Sequence, residues 1–423
     1  QTRRQSYSLK STMCYTRAII KPFISGNEVR RFRHEDPTDY LIYATWDLNI
    51  DEYPGIKEHL ENWKNELSSR PECEQGRFDW FCLSRYAADY ESDFGSSKIV
   101  YPEVSKDARF AIDTEGIYPN KTAFIIPHED YHLLSVLNST ISELYLHSIS
   151  SRMRGGYYMN SEIYVEQIPI ADEKKIELSK SDISHISRLA SEQSEITTEE
   201  DTVSISSLSP IGKIMIQLKA NRERINPDLL DNLGGYNNVV DMSSIGLLSP
   251  SENSSLSLLS ETKTEKPSLR TGSARVDRES PNTVLIEATA RYKPDDEDAH
   301  ETDQWGYTET EYLPAFRITD LTEREADLIE HFVPVAVDEA GGFANFRETA
   351  TKTNSLIDRL KAIEVPDVDD VADDLENYLD TKERAAELDA KIEQTDRLID
   401  EIVYELYGLT DEEIEIVEEA VED

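Results

Sequence analysis

The residues best suited to chemistry lie in the run Arg152-Met-Arg-Gly-Gly-Tyr-Tyr158. Arg152 and Arg154 carry planar guanidinium forks that match phosphate oxygens or the O6 and N7 atoms of guanine. Gly155 and Gly156 let backbone approach a partner closely, and Tyr157 and Tyr158 can pack on a sugar or a base. The same run also reads as a solvated loop between a helix and a strand. Lys98, Arg109, Lys121 and Arg85 are weaker candidates for phosphate contacts, because isolated basic residues are usually surface charges.

A second pattern, His128-Glu-Asp-Tyr-His132, fits the His-Glu-x-x-His form of zinc hydrolases, in which a helix sets two imidazoles beside a carboxylate that activates water. Pro127 puts His128 at the mouth of a helix, and charged Asp130 stands between the histidines. A polar helix start is therefore the better reading, its acids favoured by the N-terminal dipole. Cys14, Cys73 and Cys82 have no Cys-x-x-Cys spacing, which suits a reduced, cytoplasmic protein. No apolar run approaches the roughly 18 residues that read as a membrane span, so no membrane partner is expected.

The chain has 423 residues with 85 acidic against 44 basic, a formal net charge of -41. That balance argues against a phosphate-rich partner unless the protein works in multimolar salt, where a carboxylate-rich surface stays hydrated. At about 1 M salt the Debye length is about 3 Å, so a global charge of the wrong sign hardly acts beyond contact. The charge is uneven: residues 1–200 hold 33 acidic and 23 basic residues, residues 201–423 hold 52 and 21. The first half is thus the better candidate for binding a polyanion.

These candidates must be held by elements that the pattern foretells. Residues 1–35 read as a basic connector. Residues 36–175 read as an α+β module, a small mixed sheet with packed helices. In it Tyr40–Tyr43, Lys98–Tyr101, Arg109–Ile112, Thr122–Ile126 and Ile163–Ile170 are expected strands. One helix face is Ile56, Leu60, Trp63 and Leu67, and a second helix runs from about Glu129 to His147. A helical extension is expected over 176–228.

Residues 229–282, which include Ser249-Pro-Ser-Glu-Asn-Ser-Ser-Leu-Ser257, read as a disordered linker. Thr283–Tyr292 alternates as a strand, with Ala315–Ile318 as its pairing partner. The rest of 283–423 is mainly helical. Its heptad seam runs through Ala385, Leu388, Ile392, Ile399, Ile402 and Leu406, and serves either internal packing or a partner-binding coiled coil.

Taken in order, several blocks resemble the TaqI-like target-recognition region of type IIG restriction-modification enzymes and adenine-specific DNA methyltransferases, in haloarchaeal-like form. They are Ile19–Phe32, Tyr53–Leu60, Leu67–Arg70, Lys98–Ser105, Phe110–Tyr118, Leu133–Ser139 and Arg152–Ile170. Leu398–Ile414 resembles an ending that many of these enzymes share. The resemblance implies double-stranded DNA as partner, with a catalytic methyltransferase domain or subunit that uses S-adenosylmethionine to methylate adenine N6. Such catalysis needs a glycine-rich loop and an Asn-Pro-Pro-Tyr motif that grips a flipped adenine. Asn226-Pro-Asp-Leu229 lacks the second proline and the aromatic residue, so no catalytic residue and no cofactor are assigned to this chain. The alternative is a specificity or scaffold subunit docking separate enzyme chains through its C-terminal helices.

Overall fold

The computed structural model describes residues 19–86, 88–171, 208–250, 257–262, 266–296, 300–338 and 355–422. They form two compact units, Gln1–Arg224 with Glu387–Asp423, and Ile225–Ala386. Among the described residues no helix is long and apolar enough to cross a membrane.

The first unit is α+β. Its strands are β1 (Ile20–Ile24), β2 (Asp39–Ile42), β3 (Lys98–Pro102), β4 (Val104–Ser105), β5 (Ala111–Asp113), β6 (Tyr118–Pro119), β7 (Ala123–Ile126) and β8 (Tyr158–Met159). β1 lies between antiparallel β2 and parallel β6, and β3 lies between antiparallel β5 and β7. Every residue of β3 is buried, as its run of Ile99, Val100 and Tyr101 requires of a central strand. Ile24, Val29, Val100, Ala111 and Ile117 form one core cluster. Residues 19–35 are therefore part of this fold and not a connector. The Arg residues there are spent internally, Arg30 on Glu35, Arg31 on Asp396 and Arg33 on Glu223.

Its longer helices before residue 224 are α1 (Pro54–Glu61), α2 (Tyr131–Leu137), α3 (Thr140–Ile149) and α4 (Leu208–Glu223). The first expected helix is interrupted at Asn62 and Trp63 and resumes over Lys64–Ser68, with the Asn62 amide donating to the carbonyls of Glu58 and His59 at 3.3 and 3.0 Å. Trp63 then projects outward, 56% exposed, where the periodicity had it facing in. The Glu129–His147 helix divides in two at Asn138 and Ser139. The buried Asn138 amide donates to Leu134 O and Phe110 O, and Ser139 adopts an extended conformation that starts α3. Asn and Ser side chains compete for backbone in this way at helix ends. Within the expected strand Ile163–Ile170, Glu162–Val165 forms a helical turn, and Val165 and Ile168 are buried. The expected helical extension is α4, while 172–207 lie outside the described residues. Gly212 lets α4 cross α2 closely, since a Cβ there would fall 2.6 Å from Ser135 Oγ and 3.1 Å from Tyr131 O.

The second unit also mixes sheet and helix. Its strands are β9 (Val239–Asp241), β10 (Leu247–Pro250), β11 (Arg270–Ser280), β12 (Thr283–Tyr292), β13 (Thr308–Glu309), β14 (Leu313–Thr319) and β15 (Glu364–Pro366). The main sheet runs β10-β14-β12-β11 with β13 against β12, and α5 (Glu323–Asp338) packs on it. The expected pairing of Thr283–Tyr292 with Ala315–Ile318 is present, with Val284 opposite Ile318. The serine-rich stretch differs from the linker expected of it. Leu229, Leu233, Met242, Leu258 and Leu269 of this stretch enter the unit's core, although Leu247 and Leu259 are exposed, while 251–256 and 263–265 lie outside the described residues.

α6 (Ala372–Tyr407) begins in the second unit, and its residues from Glu387 onward belong to the first. Gly408, at φ 71°, ends it, and Thr410 with Glu413 caps α7 (Asp411–Glu422). Within the first unit Leu388, Ile399, Ile402 and Leu406 are buried, so this part of the heptad seam packs inside the chain. Its polar face is held as well. Asp396 binds Arg31 at 2.9 Å, Asp400 accepts from Thr140 N and Oγ1 at 2.8 and 2.7 Å, and Tyr407 donates to Pro169 O.

Burial pushes the Asp400 carboxyl up to about 6, against the downward pull of the Thr140 hydrogen bonds. Because the folded value lies above the unfolded one, Asp400 contributes stability below pH 4 that is lost as pH rises through 6. Between pH 4 and 7 the wild type should lose roughly 2–3 kcal/mol from this group, and Asp400→Asn should lack that component. Urea midpoints of both proteins across that range check it, and parallel curves would refute the assignment.

Candidate nucleic-acid interface

The four leading candidates lie on one small hairpin. Arg152 bridges to Tyr158, Met153 N donates to Tyr157 O at 2.7 Å, and Met159 N donates to Ser151 O at 3.1 Å. The turn between them needs Gly155 and Gly156, whose φ angles of 81° and 78° are left-handed. Arg152, Arg154 and Tyr157 are exposed, with Met153 exposed beside them. The hairpin is fastened at its base, where β8 pairs with β4, Asn160 N donates to Glu103 O, and the Asn160 amide reaches Ser105 Oγ at 2.7 Å.

Two residues that sequence reasoning passed over complete the surface. His147 of α3 stacks on Tyr158 with ring centroids 3.8 Å apart and planes 12° from parallel. Tyr158 also has the Arg152 guanidinium 5.8 Å from its centroid, so it holds the arginine toward the hairpin. Lys106 lies 5.3 Å from the Tyr157 ring. A basic residue just after the Lys98–Ser105 block was a usable signal for Lys106, but its meeting with Tyr157 comes only from the β4–β8 pairing.

Arg109 is half-buried and bound by Asp107, its Nε at 2.8 Å and Nη2 at 2.7 Å, with Tyr157 and Glu143 as further electrostatic neighbours. It stands beside the hairpin with its charge largely answered. Among the described residues neither Arg152 nor Arg154 takes part in an ion pair, so the hairpin presents two guanidinium groups with their forks open.

Residues 21–170 match the family model of the TaqI-like C-terminal specificity domain. This segment holds the hairpin, its β4–β8 base and the α2–α3 pair. Over 127 residues the chain is 21% identical to the type II methyltransferase M.PaeR7I of Pseudomonas aeruginosa, a match covering 29% of this chain and 22% of that protein. The chain thus spans about a fifth of that relative's length. Among solved structures it is similar to the type IIL restriction-modification enzyme MmeI in complex with DNA, at 11% identity and a TM-score of 0.27, over 49% of this chain and 26% of that one.

The remaining candidates sit elsewhere in the matched segment 21–170. Lys121 is exposed in the turn between β6 and β7, and Arg85 is exposed in the aromatic segment where Trp46 stacks on Phe78 and meets Tyr86 edge-on. Lys98 is a correction. It is fully buried and ion-paired with Asp113, and its ammonium also donates to Phe94 O at 2.7 Å and Ser96 O at 3.2 Å. Burial pulls its pKa down while Asp113 pulls it up. Asp113 in turn accepts the N–H groups of Glu115, Gly116 and Ile117. A lysine so enclosed cannot reach a phosphate; it ties two loops to the sheet.

The histidine pair does not form a zinc face. His128 is exposed ahead of α2, Asp130 caps that helix by accepting Leu133 N at 2.9 Å, and buried His132 bonds to Ala171 O. Asn226 is likewise occupied: it accepts Asp228 N while Asp228 caps the Leu229–Leu233 helix, so its amide serves local turn geometry and does not grip a base. These residues do not fit a methyl-transfer site. An apolar cleft of about 620 Å³ between sheet and helices has Glu162 and Glu166 as its charged lining residues, the wrong sign for a phosphate.

Removing one member of a buried ion pair strands the other, at roughly 3–5 kcal/mol. Lys98→Ala should therefore lower the first unit's stability by about that amount, read from its urea midpoint. A loss below about 1 kcal/mol would mean that water reaches Asp113 and that the pair is not structural.

Proposed function

We propose that this chain is the target-recognition portion of a site-specific, adenine-N6 DNA methyltransferase of a restriction-modification system, from a salt-adapted cytoplasm. Double-stranded DNA is its partner. The hairpin carries the reading: two unpaired guanidinium groups and an exposed tyrosine on a rigid, glycine-turned support, within the segment that matches a specificity domain. Arg152 and Arg154 would fork onto guanine O6 and N7 or onto phosphate, while Lys106 and Tyr157 flank the groove contact. Chemistry then falls to a methyltransferase part, fused or separate, which would bind S-adenosylmethionine and flip the adenine. The family resemblance supports that division.

A scaffold subunit that docks enzymes through its heptads is less well supported, because Leu388, Ile399, Ile402 and Leu406 are buried inside the chain.

Selection from a randomised duplex pool at several KCl concentrations tests the proposal. The wild type should enrich one short motif, and Arg152→Ala/Arg154→Ala should lose it, since a bidentate base contact is worth roughly 1–3 kcal/mol. If the double variant enriches the same motif equally well, base reading resides elsewhere. Phosphate contacts alone would weaken all sequences alike and flatten the salt dependence by about one power per contact.

A further inference from the structure

The second unit carries a cationic cleft that the recognition hairpin does not explain. Arg270, Thr271, Arg291, Lys293, Trp305 and Tyr307 line a cavity of about 470 Å³. The guanidinium carbons of Arg270 and Arg291 lie 5.0 and 5.1 Å from the Tyr307 ring centroid, and Lys293 Nζ lies 5.1 Å from it. Three cations thus gather on one ring in a unit whose acidic residues outnumber its basic ones.

The placement is costly without a ligand. Arg270 and Arg291 are register partners across the antiparallel β11–β12 pair, where like charges repel. Asp303 answers Arg291 alone; no ion pair joins Arg270 or Lys293 among the described residues. Arg270 Nε and Thr271 Oγ1 are buried with no hydrogen-bond partner among the described residues. A buried donor left in that state calls for an acceptor. β11 is irregular just beyond, between Thr271 and Ala274, and such bulges re-aim side chains at functional edges.

The aromatic side of the cleft is built separately. Asp303 Oδ1 accepts the N–H groups of Trp305 and Tyr307, at 2.8 and 3.0 Å, and Gly306 turns the loop at φ 77°. That loop sets Tyr307 under the cations and leaves Trp305 63% exposed. Cations that hold backbone phosphate beside an exposed ring on which a base stacks are the parts of a single-strand binding surface.

We propose that this cleft binds a phosphodiester of an unpaired nucleic-acid strand, with Arg270, Arg291 and Lys293 on phosphate oxygens and Trp305 stacked on an adjacent base. The choice of nucleic acid over other phosphates rests on the DNA-recognition reading of the first unit.

The test is a titration of the full chain with a short oligothymidylate, followed by tryptophan fluorescence and anisotropy. Binding should quench fluorescence and weaken with salt. Trp305→Ala should remove the quench, and Arg270→Ala/Lys293→Ala should weaken binding roughly tenfold or more at unchanged thermal stability. Arg152→Ala/Arg154→Ala should leave this titration unaltered while losing duplex motif enrichment, so the two readings fail separately. Absence of oligothymidylate binding, or binding that survives the cleft substitutions, overturns the proposal. Inorganic phosphate or pyrophosphate competing as well as the oligonucleotide also overturns it, because the site would then take free phosphate.

Discussion

The first unit depends on one fully buried amide. Asn138 stands where α2 gives way to α3, accepts Phe110 N at 3.1 Å, and donates to Phe110 O at 2.8 Å and Leu134 O at 3.0 Å. Its own carbonyl accepts the Arg31 guanidinium, which continues to Asp396. Phe32 N donates to the same Phe110 carbonyl. The Asn138 side chain thereby ties the helix pair to the approach to β5, while its main-chain carbonyl, through Arg31, reaches the C-terminal helix. Buried polar groups in such a network have no inexpensive alternative, since each broken bond leaves a desolvated donor or acceptor.

From that point the geometry reaches the hairpin in two steps. α3 starts directly after Asn138, with Asp400 accepting from its first residue, Thr140. Further along, Glu143 accepts Ala108 N at 3.0 Å and His147 stacks on Tyr158. The C-terminal helix therefore helps fix the orientation of α3, and α3 holds β8 through His147 and the segment after β4 through Glu143. This gives the Leu398–Ile414 block, far from the recognition segment in sequence, a structural part in it.

The distribution of charge follows the same division between support and contact. Arg30, Arg31, Arg33 and Arg109 are answered by carboxylates within the chain, and Lys98 is enclosed with Asp113. Among the described basic residues of the N-terminal segment, Arg30, Arg31 and Arg33 therefore serve the fold. Arg152 and Arg154, and in the second unit Arg270 and Lys293, have no carboxylate partner among the described residues.

The sequence by itself determined the elements whose signals are local. β3 with its continuous apolar run, the β12–β14 pairing, the Gly408 stop and the Thr410–Glu413 cap all follow from periodicity and backbone preference, as does the glycine-turned arginine run. Only the tertiary structure decided which polar residues are spent. Lys98 and Arg152 are equally basic in sequence, yet Asp113, 15 residues on, encloses one while no described carboxylate meets the other. The same holds for Asn138, whose role depends on Phe110, and for the serine-rich stretch, where Leu229, Leu233, Leu258 and Leu269 find a core built by distant strands. Such outcomes depend on contacts between residues far apart in the chain, and desolvation, which sets their energy, exists only after the chain has closed around them.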